Sequence, residues 1–196
     1  MGEAGIEGKM PRRKRPRTTQ RDDSHPVAPN VLNRQFGETE RNAVWLTDIT
    51  YIETDEGYLY TAGVMDLGSR EIVGLAMADH MRTELTLTAL EMAVVQQRPD
   101  PGLLHHSDRG SQYTSAAYQQ QVTQYRMIAS MSRTGNCLDN APMESFWATL
   151  KRECADKVFA SRAEARTAIF RYVMGFYNRR RRHSALDYHT PRSRAA

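Results

Sequence analysis

Three carboxylates sit where an unpaired charge is hard to keep. Asp48 interrupts VWLTDITYI, Asp108 follows the apolar start of LLHHSDRGSQYTS, and Glu144 stands in the first turn of APMESFWATLKRE. An ionised aspartate among apolar and β-branched neighbours needs a cation or several donors, because burying it alone costs several kcal/mol. Asp108 ends its strand where open α/β sheets gather ligands, and Gly110 behind it lets the backbone approach closely. Each acid also has an ordinary account: backbone or arginine pairing for Asp48, turn formation for Asp108, the helix dipole for Glu144. Together they can converge from two strands and a helix into one oxygen-ligand cluster. Such a cluster suits Mg²⁺, and two ions roughly 3.5–4 Å apart can activate an attacking oxygen and stabilise a leaving one. Lys151 lies seven residues after Glu144, nearly in line with it along a helix, where it can hold substrate phosphate.

The elements that must position these residues read as β-β-β-α-β-α-β-α-α. VWLTDITYI, YLYTAGVMDLGS and EIVGLAMADH form a meander with short hairpin connections at DEG and GSRE. TELTLTALEMAVVQQR carries Leu87, Leu90 and Val94 at helical spacing behind a capping Thr83 and ends near Pro99. A strand at GLLHHS, a helix at SAAYQQQVTQYR and a short strand at MIASMS follow, then the loop TGNCLDN. APMESFWATLKRE is a helix with Asn140 as candidate N-cap, Pro142 in its first turn, and Met143, Phe146, Trp147 and Leu150 as its apolar stripe. SRAEARTAIFRYVMGFYN is a last amphipathic helix. Hairpin-linked strands followed by crossovers imply an α/β fold with a mixed sheet covered by helices.

Length and composition narrow the class. A chain of 196 residues with 40% hydrophobic content suits one domain with tails. No apolar run is long enough to span a bilayer, and MGEAGIEGKMPRRKR lacks the apolar stretch of a secretory signal, so a cytoplasmic location and no membrane partner are expected. Cys137 and Cys154 lack the spacing of a disulfide framework or zinc site. The net charge of +4 conceals a segregation: six Lys/Arg and two Asp/Glu in residues 1–19, 12 and 19 in residues 20–161, nine and two in residues 162–196. Basic ends on an acidic body suit a protein that grips polyphosphate peripherally and holds cations centrally.

These motifs resemble the DDE transposases of bacterial insertion sequences, in the branch similar to retroviral integrases. The resemblance runs from about Asn33 to Pro191 and rests on WLTDITYI, HSDRGSQYTS, DNAPMESFWATLKRE and YNRRRRHSALDYHTP, with thirty-five residues between Asp108 and Glu144. It implies a ribonuclease H-like fold, a five-stranded mixed sheet with helices on both faces. It also implies Mg²⁺- or Mn²⁺-dependent cutting at element ends and transfer of the freed 3′-hydroxyl to a target strand. Asp48, Asp108 and Glu144 would bind two metal ions. Lys151, Gln112, Tyr113, Asn140, Arg179, Arg180, Arg181, Arg182 and His183 are the expected DNA contacts; for Gln112 and Tyr113 support of Asp108 is an alternative role, and for Asn140 a plain N-cap. His105 and His106 are expected to pack and hydrogen-bond, since hard cations favour oxygen. The expected organisation is a flexible basic arm at residues 1–35, a catalytic core at 36–160 and a basic helix and tail at 161–196. Partners would be DNA, further copies of the chain, and a recognition protein from an upstream reading frame, in a nucleoid-associated setting. Alternatives are a truncated DNA-binding relic and a nuclease that stops at cleavage.

Overall fold

The computed structural model describes residues 27–134 and 136–194, so the PRRKRPR arm lies outside the described residues. β-Branched and aromatic residues alternate along β1 (Val44–Thr54), which pairs antiparallel with β2 (Gly57–Asp66); β2 pairs antiparallel with β3 (Ile72–Ala78). The first hairpin closes through Gly57, at φ 102°, whose carbonyl accepts the Thr54 hydroxyl at 2.6 Å. At the second, buried Asp66 accepts the Ser69 amide and hydroxyl at 2.8 and 2.7 Å and the Asn42 amide at 2.6 Å. Asp66 is thus a turn aspartate with its donors in place.

Helix α1 (Thr83–Gln97) crosses over to β4 (Leu104–Ser107), which runs parallel to β1; α2 (Ser111–Thr114) and α3 (Ala116–Gln124) lead to β5 (Ile128–Met131), parallel to β4. The sheet order is β3-β2-β1-β4-β5. Helix α1 starts after Arg82 and Thr83 is its first residue, so Thr83 is not the cap. Its buried face is Leu85, Thr86, Ala89, Leu90 and Ala93; of the expected Leu87, Leu90 and Val94, Leu90 is fully buried and the other two pack partly buried against the same core. The small alanines admit Gly74 of β3, where a side chain would strike the Ala89 carbonyl. A short 3-10 turn, Cys137–Asn140, opens α4 (Ala141–Glu153). After α5 (Arg162–Phe170) the chain winds on as a π-helix, Arg171–Tyr177, where Asn178 N–H reaches the Val173 carbonyl at 3.0 Å; α6 (Pro191–Arg194) ends the described chain.

The sheet separates two cores. One holds Trp45, Ile49, Leu90, Tyr113 and Tyr118 under α1 to α3; the other holds Leu46, Ile52, Met143, Phe146, Leu150 and Ile169 under α4, α5 and the tail. Helices therefore cover both faces, as the resemblance implies. No helix of the described residues is long and apolar enough to cross a membrane.

Candidate active site

Strands β1 and β4 pair in register through Val44, Trp45 and Leu46 opposite Leu104, His105 and His106, and then part. Asp48 and Asp108 lie two residues beyond the last pair, Leu46 with His106, at the carboxyl end of β4. The β1 ladder loses its β4 partner there, and Asn140 replaces it: its Nδ2 donates to the Thr47 carbonyl at 3.0 Å. Asn140 is the residue before α4, but its side chain makes no cap bond. Helix α4 is thereby held in the gap between the diverging strands, with Glu144 one turn on and exposed.

Trp147 presses its ring into the space left by Gly63, the β2 partner of Asp48. Its Nε1 donates to Asp48 Oδ2 at 3.1 Å. Buried indole N–H groups seek such a partner, so Trp147 is both core and a support for the carboxylate. Burial pushes the Asp48 carboxyl up to about 8; the Asp108 charge adds to the rise, the Ile49 amide and Trp147 oppose it, and Glu144 adds the smallest contribution. Asp108 Oδ1 accepts the Gly110 amide at 2.8 Å. A Cβ on Gly110 would stand 3.0 Å from both Asp108 Oδ1 and Gln112 Oε1, so glycine is what lets these oxygens share that space.

Asp48 and Asp108 are thus neighbours, while Glu144 borders them. Among the described residues no group of three or more His, Cys, Asp or Glu side chains is arranged to hold one ion. The donor chemistry nonetheless suits a hard divalent cation, because the acids supply only oxygen and the mutual repulsion felt at Asp48 is what a cation relieves.

The expected DNA contacts fall into different settings. Lys151 lies over the Tyr51 ring, 4.7 Å from its centroid, and lines a cleft of about 430 Å³ with Tyr51, Glu53 and Lys157. Gln112 is buried and its Nε2 donates to the Met81 carbonyl at 2.7 Å. Tyr113 is buried edge-on against Tyr118, ring centroids 5.2 Å apart. Arg179, Arg180 and Arg182 are exposed, whereas Arg181 grips Glu153 at 2.9 Å. His183 packs on Tyr177, and burial followed by the Arg181 charge lowers it to about 4. His105 bonds the Tyr118 hydroxyl at 3.0 Å, and His106 bonds Ser130 and Ser132 at 2.9 and 3.1 Å, in keeping with their expected packing role.

Sequence reasoning missed Arg109, whose guanidinium binds the Ser132 carbonyl at 2.7 Å and Thr134 at 2.8 Å, tying the Asp108 loop to the segment after β5. It also missed Asp139. An acid five residues before Glu144, in a loop already bearing a helix start, was its only signal.

Residues 38–137 match the family model of the integrase core domain, and residues 125–191 match a second family model with the same description. An IS600 insertion-element 31 kDa protein of Shigella sonnei is 51% identical over 89% of this chain and 64% of its own length. The transposase for IS904 of Lactococcus lactis is 48% identical over 84% of this chain and 65% of its own. Transposase InsF for IS3A of Escherichia coli is 41% identical over 92% and 62%. The chain therefore spans less than two thirds of the length of these relatives. Among solved structures, the HTLV-2 integrase catalytic core in complex with magnesium, in its dimeric form, superposes with a TM-score of 0.55 at 16% identity over 78% of this chain and 94% of that one. A chain of the simian T-cell lymphotropic virus intasome gives 0.58 at 14% over 80% and 56%. This likeness to retroviral integrase cores shows the ribonuclease H-like fold.

Proposed function

This chain belongs to the integrase core domain family, and we propose that it is the catalytic part of an insertion-sequence transposase that cuts DNA at element ends and joins the freed 3′-ends to a target. The observation that supports the reading is that Asp48 and Asp108 each lie two residues beyond the last β1–β4 pair and that the charges of both Asp108 and Glu144 are felt at Asp48. Named relatives that are transposases for insertion sequences support the substrate class.

On this reading Asp48, Asp108 and Glu144 hold Mg²⁺ or Mn²⁺, as a pair of ions. When bound, the metal supplies Lewis-acid polarisation of the phosphate and a counter-charge for the attacking and leaving oxygens. In the cutting step a water oxygen bonds to phosphorus, the P–O3′ bond breaks, and the 3′-oxygen leaves and gains a proton. In the joining step the 3′-hydroxyl is the nucleophile and a target 3′-oxygen leaves. The chain's own residues orient the acids: Trp147 holds Asp48 Oδ2, the Gly110 amide holds Asp108 Oδ1, and Asn140 seats α4. Lys151 and the exposed Arg179, Arg180 and Arg182 supply charge for the DNA backbone. Recognition of the ends belongs to protein outside the matched core, and copies of the chain assemble on DNA beside the nucleoid.

The test is metal-dependent nicking and strand transfer on an oligonucleotide carrying an element end. Asp108→Asn and Glu144→Gln are each expected to reduce both products at least a hundredfold with DNA affinity within threefold. Cleavage at the parent rate by either variant would overturn the assignment.

A further inference from the structure

We propose that Asp139 is a positioning residue for the Glu144 helix, acting as the bolt that fastens the entering segment 29–34 and the loop after β5 to the first turn of α4. The proposal rests on the active-site reading of Glu144 given above.

Helix α4 does not cap its own start. Asn140 turns its amide away to β1, so the position of the first turn is set from outside the helix. Asp139 supplies the other anchor. Its side chain is fully buried and its two oxygens accept five donors: Asn30 Nδ2 at 2.9 Å, Arg34 Nε at 2.7 Å, and the Arg133 amide, Nε and Nη2 at 2.9, 3.0 and 2.8 Å. Two consecutive residues thus fasten the start of α4 from different sides, Asp139 to the entering segment and the loop after β5, Asn140 to β1, and so fix the backbone that carries Glu144.

The entering segment is shaped for this contact. Asn33 and Arg34 both take left-handed backbone, at φ 42° and 61°, a conformation asparagine tolerates and most other side chains adopt uncommonly. The Asn30 side chain braces the bend by accepting the Asn33 amide at 2.9 Å, and Leu32 is buried beneath it. The same segment also reaches the back of Asp108. Amides of Val31 and Leu32 donate to Ser130 Oγ at 3.0 and 3.2 Å, and Ser130 bonds His106, two residues before Asp108. One short stretch of chain therefore touches the supports of two of the three acids.

Mn²⁺ binding by calorimetry and cleavage of an element-end duplex, both with the full chain, test this. Asp139→Asn is expected to weaken Mn²⁺ binding at least fivefold, raise the metal concentration for half-maximal cleavage, and lower kcat at least tenfold, with DNA affinity within twofold. Arg34→Ala should give the same pattern more mildly, and Arg34→Lys should recover most of it. If Asp139→Asn folds and keeps its Mn²⁺ affinity and metal requirement while only its Tm falls, Asp139 is a structural staple and the proposal is overturned. Should Asp139→Asn fail to fold, the same two readouts on Arg34→Ala decide. Failure of the active-site reading is separate: Glu144→Gln would then match the parent in both assays. The proposal fails alone when Glu144→Gln loses both and neither Asp139→Asn nor Arg34→Ala loses either.

Discussion

At the scale of single residues, the site is a problem of keeping two like charges together. Asp48 has one side-chain donor, Trp147, and a neighbour of its own sign in Asp108. Replacing Trp147 by phenylalanine removes a hydrogen bond worth about 0.5–1.5 kcal/mol to the protonated acid and about 1.5–3 kcal/mol to the carboxylate that a metal would select, while keeping an aromatic ring in the core. We expect a several-fold rise in the metal concentration needed for half-maximal cleavage and a lower Tm; an unchanged metal requirement would argue against the orienting role. The raised Asp48 pKa has a definite sign in stability. A carboxyl whose folded pKa lies above its unfolded value stabilises the fold at low pH, and that contribution is lost as pH rises through about 8. A cation bound beside it restores the balance. Mg²⁺ is therefore expected to raise Tm more at pH 8.5 than at pH 6, measured by calorimetry; an equal shift at both would place the ion elsewhere.

At the scale of elements, the site depends on contacts between backbones that come close. Gly63 in β2 faces Asp48, and a Cβ there would lie 2.9 Å from the Trp147 ring. Gly63→Ala is expected to displace the indole, lower stability by about 1–3 kcal/mol and weaken metal binding along with it, as read by urea unfolding and Mn²⁺ calorimetry. Normal metal affinity in a destabilised Gly63→Ala protein would separate α4 packing from the site. This dependence also explains what the sequence makes legible. Asp48, Asp108 and Glu144 stand out because carboxylates break apolar patterns, and the hairpin-linked meander follows from turn spacing. Trp147's second role does not stand out, because periodicity counts an indole as apolar and is silent about its N–H. The buried face of α1 is read only in part for a related reason: its closest approach is made by Ala89 and Ala93 against Gly74, and small residues carry no hydrophobic signal. Asp139 meets Arg34 across 105 positions, a separation no local pattern reports.

Over the whole molecule, buried polar links stitch the sheet to its coverings, and their protonation states act together. His105 and His106 are both lowered to about 4 by burial, and Asp139 is held well below the usual carboxylate range chiefly by the Arg133 guanidinium. For all three the folded pKa lies below the unfolded one, but the windows differ: the stabilisation from His105 and His106 is complete above about pH 6.5 and drains away as pH falls through 4, whereas that from Asp139 is complete above about 4 and is lost only in stronger acid. His105 alone is worth about 3 kcal/mol across its window. Asp48 acts in the opposite sense over the same interval, so the test is a difference: between pH 7.5 and pH 5 the urea midpoint of His105→Gln should change less in the destabilising direction than that of the parent, and equal changes would mean the imidazole is not buried as a neutral group. The tail obeys a different constraint. Asn178 bonds both the N–H and the carbonyl of Ile72, at 2.9 and 3.0 Å, and it follows directly on the π-wound stretch Arg171–Tyr177. The wide coil takes up one more amino acid than an α-helix would over the same turn, so excising one there lets it tighten with Asn178 still on the edge strand, whereas adding one would turn everything downstream by about 100°, carrying Asn178 off that strand and Arg181 away from Glu153. That stretch therefore holds a single link of slack: it should survive the loss of one amino acid far better than the gain of one.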